Sequence, residues 1–194
     1  MTDLVPWVFT SGWASGVNAY AVVLMLGLLG RFAGVDAVPS ALERNEILIG
    51  AAVLYLLEFV VDKIPWLDST WDAVHTAIRP TIGAALGLLL ADEADSVAQA
   101  LSAAAGGLTA LASHAVKAGL RAAVNTSPEP ASNIVVSVTE DATVAGVIAL
   151  AVAAPWVAAA IALVLLLAGI AIVAAVAGRI RRARRRRRGP DPAG

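Results

Sequence analysis

The 23 residues Trp156–Gly178, WVAAAIALVLLLAGIAIVAAVAG, carry no charge and run straight into RIRRARRRRR at Arg179–Arg188. As a helix this stretch is about 35 Å long, enough to cross a hydrocarbon core of ~30 Å. The arginines that close it are what a membrane span carries at its cytoplasmic end. The remainder of the chain reads in the same way. The 194 residues are 59% hydrophobic with a mean hydropathy of +0.78, whereas soluble domains average about 45–50% apolar. There is no cysteine, which excludes disulfides, thiolate metal sites and cysteine nucleophiles.

Working back from that last span, six hydrophobic segments emerge: about Trp7 to Phe32, Ile47 to Ile64, Val74 to Ala91, Val97 to Val124, Ile134 to Ala154 and Trp156 to Gly178. The expected fold is an all-α, polytopic membrane bundle over residues 1–178. An arginine-rich tail, 179–194, is expected to be disordered and to touch anionic lipid headgroups. The third and fifth segments start with polar residues, which leaves them open to being tilted, broken or partly re-entrant. Pro155 predicts a tight hairpin between the last two. MTDLVPWVF has no basic n-region, so no cleavable signal peptide is expected and the first segment stays.

The net charge of −1 averages two unlike parts. Eight arginines fall in the tail, while residues 1–178 hold six basic residues against fourteen carboxylates, a body of −8. The tail predicts a cytoplasmic C-terminus in the cell membrane, and six spans would return the N-terminus to the same side. The slightly acidic Gly34–Glu46 loop and the turn at Asp92, Glu93 and Asp95 suit the opposite side. No folded module or interleaved aromatics support nucleic-acid binding by the tail.

The polar residues inside these spans carry the functional reading. Asp68, Asp72, His75 and Arg79 recur at i, i+4, i+7 and i+11, one narrow face of a helix. His114, Lys117, Arg121 and Asn125 make a second stripe, and Ser11, Ser15 and Asn18 a third. Glu58 and Asp62 lie one turn apart, followed by Lys63, and Glu140 and Asp141 open the fifth segment. Alternating spans bring all of these to one level on the cytoplasmic half. Ionisable residues within a span usually face a bundle interior. Glu58, Asp62, Asp72, His75, Arg79, His114, Lys117 and Arg121 are therefore the candidate solute or proton site. Ser15, Asn18, Asp68, Asn125, Glu140 and Asp141 are its candidate polar lining. The plainer alternative is that pairs such as Asp72–Arg79 and Glu58–Lys117 only tie helices together.

Metal binding draws a weaker signal. His75 and His114 with nearby carboxylates could ligate a divalent cation, but no compact motif is present; no cofactor is expected. Gly12/Gly16, Gly30/Gly34 and Gly83/Gly87 have the four-residue spacing that lets helix backbones approach. Pro80 either begins or kinks a helix. Sliding the chain by 62 residues sets the segment from Asp72 over that from Ile134, and Arg79 over Asp141. Two similar hairpins would then supply opposite charges to one level, in a parallel arrangement.

At SGWASGVNAY (Ser11–Tyr20), DKIPWLDSTWDAVHTAIRP (Asp62–Pro80) and NTSPEPASN (Asn125–Asn133), the chain resembles a family of small bacterial membrane proteins, domain of unknown function 4126. The resemblance extends over nearly everything but the arginine tail. It implies a membrane protein and brings no activity or catalytic residues with it. The residues themselves favour a small transporter or channel for an ion or polar solute, with proton coupling an option. A noncatalytic scaffold comes second. An enzyme acting on a lipid headgroup or lipid phosphate comes third, because no nucleophile–base pattern appears. Mixed signs leave the solute's charge open, and nothing fixes the oligomeric state.

Overall fold

The computed structural model describes residues 3–64, 66–125 and 130–187, those at 130 and 184–187 by backbone only. They form six α-helices and one short 3-10 turn: α1 (Leu4–Ala33), the turn Ser40–Glu43, α2 (Asn45–Val61), α3 (Leu67–Leu90), α4 (Ser96–Val124), α5 (Pro130–Ala153) and α6 (Pro155–Arg187). No strand occurs among the described residues. α1, α3, α5 and α6 are long and apolar enough to cross a membrane. α2, with 17 residues, and α4, whose inner face is cationic, do not reach that mark.

Burial is inverted relative to a soluble protein. The largest fully buried side chains are Arg79 and Arg121, while Leu56, Val164, Leu167 and Ile172 stand exposed. A molecule that hides its arginines and shows its leucines is stable where the surroundings are apolar.

α1 is not one straight helix. Asn18 has φ −150° and ψ 97°, well outside helical geometry. A straight helix of 30 residues would be ~45 Å long and carry its ends far apart. Instead Asp3, Leu4 and Trp7 share one cavity with Asp36–Ser40 beyond the other end, and Trp7 shares a core with Val38 and Leu42. α1 is thus a helical hairpin of two arms, 4–17 and 19–33, each ~21 Å long. The first arm runs beside α4 in the same direction, Gly12 against Gly106 and Gly16 against Ala110 and His114; the second returns with Gly27 against Leu42 and Leu48. The third and fifth segments were open to a break, but the break lies in the first. α3 runs unbroken through Pro80, and α5 is continuous.

Five helices then alternate. α2 descends from the acidic end, α3 returns, α4 descends, α5 returns and, after the tight hairpin at Pro155, α6 descends into the arginines. Both ends of α1 stay at the acidic end, so the N-terminal end and Arg187 lie at opposite ends of the bundle. The α3–α4 and α5–α6 hairpins are parallel to one another. α6 remains helical to Arg187, so the tail begins as helix rather than disordered chain; 188–194 lie outside the described residues, as does most of the NTSPEPASN connector.

Glycines set the closest approach. A Cβ on Gly12 or on Gly83 would lie 2.7 Å from the carbonyl oxygen of Gly106, so three backbones meet there. Gly16 and Gly87 abut the Ala110 and Ser102 carbonyls in the same way, while Gly34 (φ 63°) closes α1 as a left-handed cap. Backbone atoms cannot yield as side chains do. Gly83→Val is expected to destabilise the bundle by about 1–3 kcal/mol or more. Gly50→Val, where nothing lies within 4 Å, should leave it near wild type. Thermal unfolding in detergent compares the two.

Candidate functional site

The stripes on α3 and α4 face each other because the two helices are antiparallel. Their charges could be buried only against opposite charges or polar partners. The resulting column spans Asp68 to Arg79, ~16 Å along α3. At its lower end Asn125 Nδ2 donates to Asp68 Oδ1 at 2.9 Å, and Arg121 lies 3.8 Å from Asp68. One level deeper Arg121 donates to the Asp62 carbonyl at 2.8 Å and to Glu140 Oε2 at 2.6 Å. Lys117 donates to Asp62 Oδ2 at 2.7 Å, to Glu58 Oε1 at 3.5 Å and to the Val17 carbonyl at 3.0 Å. Deepest lies Arg79, 2.6 Å from Glu58 and 3.2 Å from Asp72. Both pairs anticipated from the stripes, Asp72–Arg79 and Glu58–Lys117, are present.

The tip of the α1 hairpin enters this column and explains its polarity. Breaking a helix orphans carbonyls at the end of one arm and amides at the start of the next. The first arm's Gly16 and Val17 carbonyls receive Arg79 Nη1 (3.2 Å) and Lys117 Nζ (3.0 Å). Cations thus sit at a helix C-terminus, where the dipole favours them. The second arm is N-capped by Asn18, whose Oδ1 accepts from Ala21 N at 3.0 Å. The amide of the same side chain donates to Asp141 Oδ1 at 2.9 Å, bringing a carboxylate to the positive end of that arm. Ser15 Oγ donates to the Arg79 carbonyl, tying the tip to α3.

Hydrogen-bond chemistry assigns one histidine. Arg79 can only donate, so at 2.8 Å the Nδ1 of His114 accepts and its proton sits on Nε2, facing Thr76 Oγ1 at 3.2 Å. His75 lies between the Tyr20 hydroxyl (2.9 Å) and the Trp71 carbonyl (2.8 Å), stacked on the Trp71 ring. Among the described residues no three of His, Asp and Glu are grouped as metal ligands would be.

All fourteen residues singled out in the sequence come together here. Lys63, read beside Asp62, joins the column's edge, and Tyr20, Asn133 and Ser137 were missed. Tyr20 holds His75. Lys63 rests on the Phe59 ring and reaches Ser137 at 3.3 Å. Asn133 donates to Asn125 Oδ1 at 3.1 Å. Asn133, Ser137, Glu140 and Asp141 follow i, i+4, i+7 and i+8, a fourth stripe open to discovery by the same periodicity; Tyr20 lies on none.

Signs do not balance. Glu58, Asp62, Asp68, Asp72, Glu140 and Asp141 face Arg79, Lys117 and Arg121, with Lys63 at the edge. Glu58 Oε2, Asp62 Oδ1, both Asp72 oxygens and Asp141 Oδ2 are buried without a hydrogen-bond partner among the described residues.

One cavity borders the column and another lies apart from it. The larger, about 670 Å³, lies at the acidic end, with Asp3, Asp36, Asp92 and Glu93 on its walls. A smaller one, about 170 Å³, lies between α1, α4, α5 and α6 beside Lys117 and Glu140.

The sequence profile of the family described as Domain of unknown function (DUF4126) matches residues 6–175. No curated protein and no solved structure matches the chain.

Proposed function

Because the chain belongs to the DUF4126 family, which brings no activity to transfer, we propose from its site that it is a small membrane transporter moving a cation in exchange with protons. The observation that carries this reading is the surplus of carboxylates at the tip of a broken helix. Six carboxylates against three or four cations cannot all be ionised and unpartnered in a low-dielectric interior. Protons or a bound cation supply the missing positive charge, and exchanging one for the other is the elementary step of coupled transport. Discontinuous helices with their ends at a midplane site are how such transporters hold ions.

The route we infer starts on the acidic side. Trp7, Ser11 and Ser15 succeed one another on one face of the first arm. Trp7 lines the larger cavity, Ser11 Oγ is buried without a partner among the described residues, and Ser15 touches Arg79. Acidic walls concentrate cations at that mouth.

The arginines of α6 belong on the cytoplasmic side, against anionic headgroups. The hairpin then sets the N-terminal end and the larger cavity on the outer side, in place of the two cytoplasmic termini that six spans would give. A scaffold is the second reading, favoured because Glu58, Asp62, Asp72, Arg79, Lys117 and Arg121 are all at most 3% exposed.

Reconstitution separates the two. Proteoliposomes under a pH gradient are expected to show proton flux that depends on an added cation. Asp72→Asn, which keeps the shape of a group lacking hydrogen bonds, should cut it by tenfold or more. Full flux in both Asp72→Asn and Arg121→Gln would remove the column from the route. Folded wild-type protein without flux for any cation would leave the scaffold.

A further inference from the structure

The smaller cavity is built for a ligand of one charge type. Its walls are Trp13, Val17, Val116, Leu120, Leu165 and Leu166, with Ser113, Thr139, Thr143 and Gly169 between them. Every hydroxyl in it is already engaged. Ser113 Oγ donates to the Trp13 carbonyl, Thr139 to Val135 and Thr143 to Thr139. Lys117 and Glu140 are the charged groups that remain.

These two differ in what they have left to give. Lys117 has three ammonium protons, and all three point at acceptors: the Val17 carbonyl, Glu58 and Asp62. Lys117 therefore offers an anion entering the cavity no free proton. Glu140 is the reverse. Arg121 and Lys117 both approach its Oε2, and Oε1 has no partner among the described residues. Its side chain is 15% exposed, the most open carboxylate of the five ion-paired in the column. The surplus of carboxylates behind it adds to the attraction for positive charge.

The geometry points to a binding site for a small hydrophobic cation, an aromatic or short-chain amine whose ammonium group meets Glu140 Oε1 while its body fills the apolar walls. Size agrees, since an apolar cavity of ~150 Å³ holds a benzene ring and this one measures about 170 Å³. Trp13 adds an aromatic wall, a surface that cations favour. Thr139 and Leu165 are exposed at its rim, so an amine partitioned into lipid could enter from the side. The site names the class of cation for the transport reading and rests on it for its physiological meaning; binding itself does not depend on flux.

Equilibrium binding of labelled 2-phenylethylamine to the full chain in nanodiscs tests this, with neutral 2-phenylethanol and anionic phenylacetate as competitors. The amine should bind saturably, and the alcohol and the acid should compete at least tenfold less well than unlabelled amine. Glu140→Gln should weaken binding tenfold or more. Thr143→Phe, which fills the cavity and leaves every ion pair in place, should do the same, so a folding defect in the first variant does not decide the matter. Equal competition by phenylacetate would overturn the site, as would absent binding or wild-type affinity in folded Thr143→Phe. Amine binding without flux would sink only the transport reading. Cation-dependent proton flux without amine binding would sink only this site.

Discussion

Arg79→Ala is expected to lower the unfolding free energy by about 3–5 kcal/mol, because it strands buried charges that have no water to turn to. One guanidinium serves four groups at once: Glu58 Oε1 at 2.6 Å, Asp72 Oδ1 at 3.2 Å, the Gly16 carbonyl at 3.2 Å and His114 Nδ1 at 2.8 Å. Its removal orphans the carbonyl that ends the first arm of α1, so the hairpin tip should loosen with the column. Lysine keeps the charge but cannot fork toward four acceptors, and Arg79→Lys should fall between alanine and wild type. Removing both partners of a buried pair is milder than removing one. Arg79→Ala with Glu58→Gln should therefore be more stable than Arg79→Ala alone. Denaturant or thermal unfolding in detergent reads all three, and simple additivity of the two substitutions would show that the pair is not coupled.

The membership of this column was legible in the sequence for a physical reason. A charge in an apolar helix must be buried against another such charge, and helical spacing says which residues share a face. Asp68–Asp72–His75–Arg79 and His114–Lys117–Arg121–Asn125 each keep to one stripe, so helical periodicity alone names most of the site. The hairpin in α1 was not legible. No proline or glycine interrupts Val17-Asn18-Ala19, and the thirty residues of α1 are apolar enough to pass for one span. What bends the chain is tertiary. Arg79 and Lys117 cap carbonyls 63 and 100 positions away in the sequence, and Asp141 holds Asn18 from 123 away. α4 shows the converse, since the charges that lower its hydropathy are the ones its neighbours bury.

That hairpin makes the second large prediction, which is all-or-none. A full span from Leu4 to Ala33 would put Asp3 and Asp36 on opposite faces of the membrane, with Asp3 on the side of the arginines. A re-entrant α1 puts Asp3, Asp36 and Asp92 on one face and Ala183 on the other. The chain has no cysteine, so single replacements report without background. Asp3, Asp36, Asp92 and Ala183 are all exposed and tolerate the change. In sealed vesicles, Asp3→Cys and Asp36→Cys should react with an impermeant maleimide from the same side as Asp92→Cys. Ala183→Cys should be protected until the membrane is permeabilised, or the reverse in inverted vesicles. Reaction of Asp3→Cys from the side of Ala183→Cys would restore six full spans and withdraw the tip from the column. The carbonyls of Gly16 and Val17 would then have no broken end to expose, and Arg79 and Lys117 would lose the helix terminus that draws them to this level of the bundle.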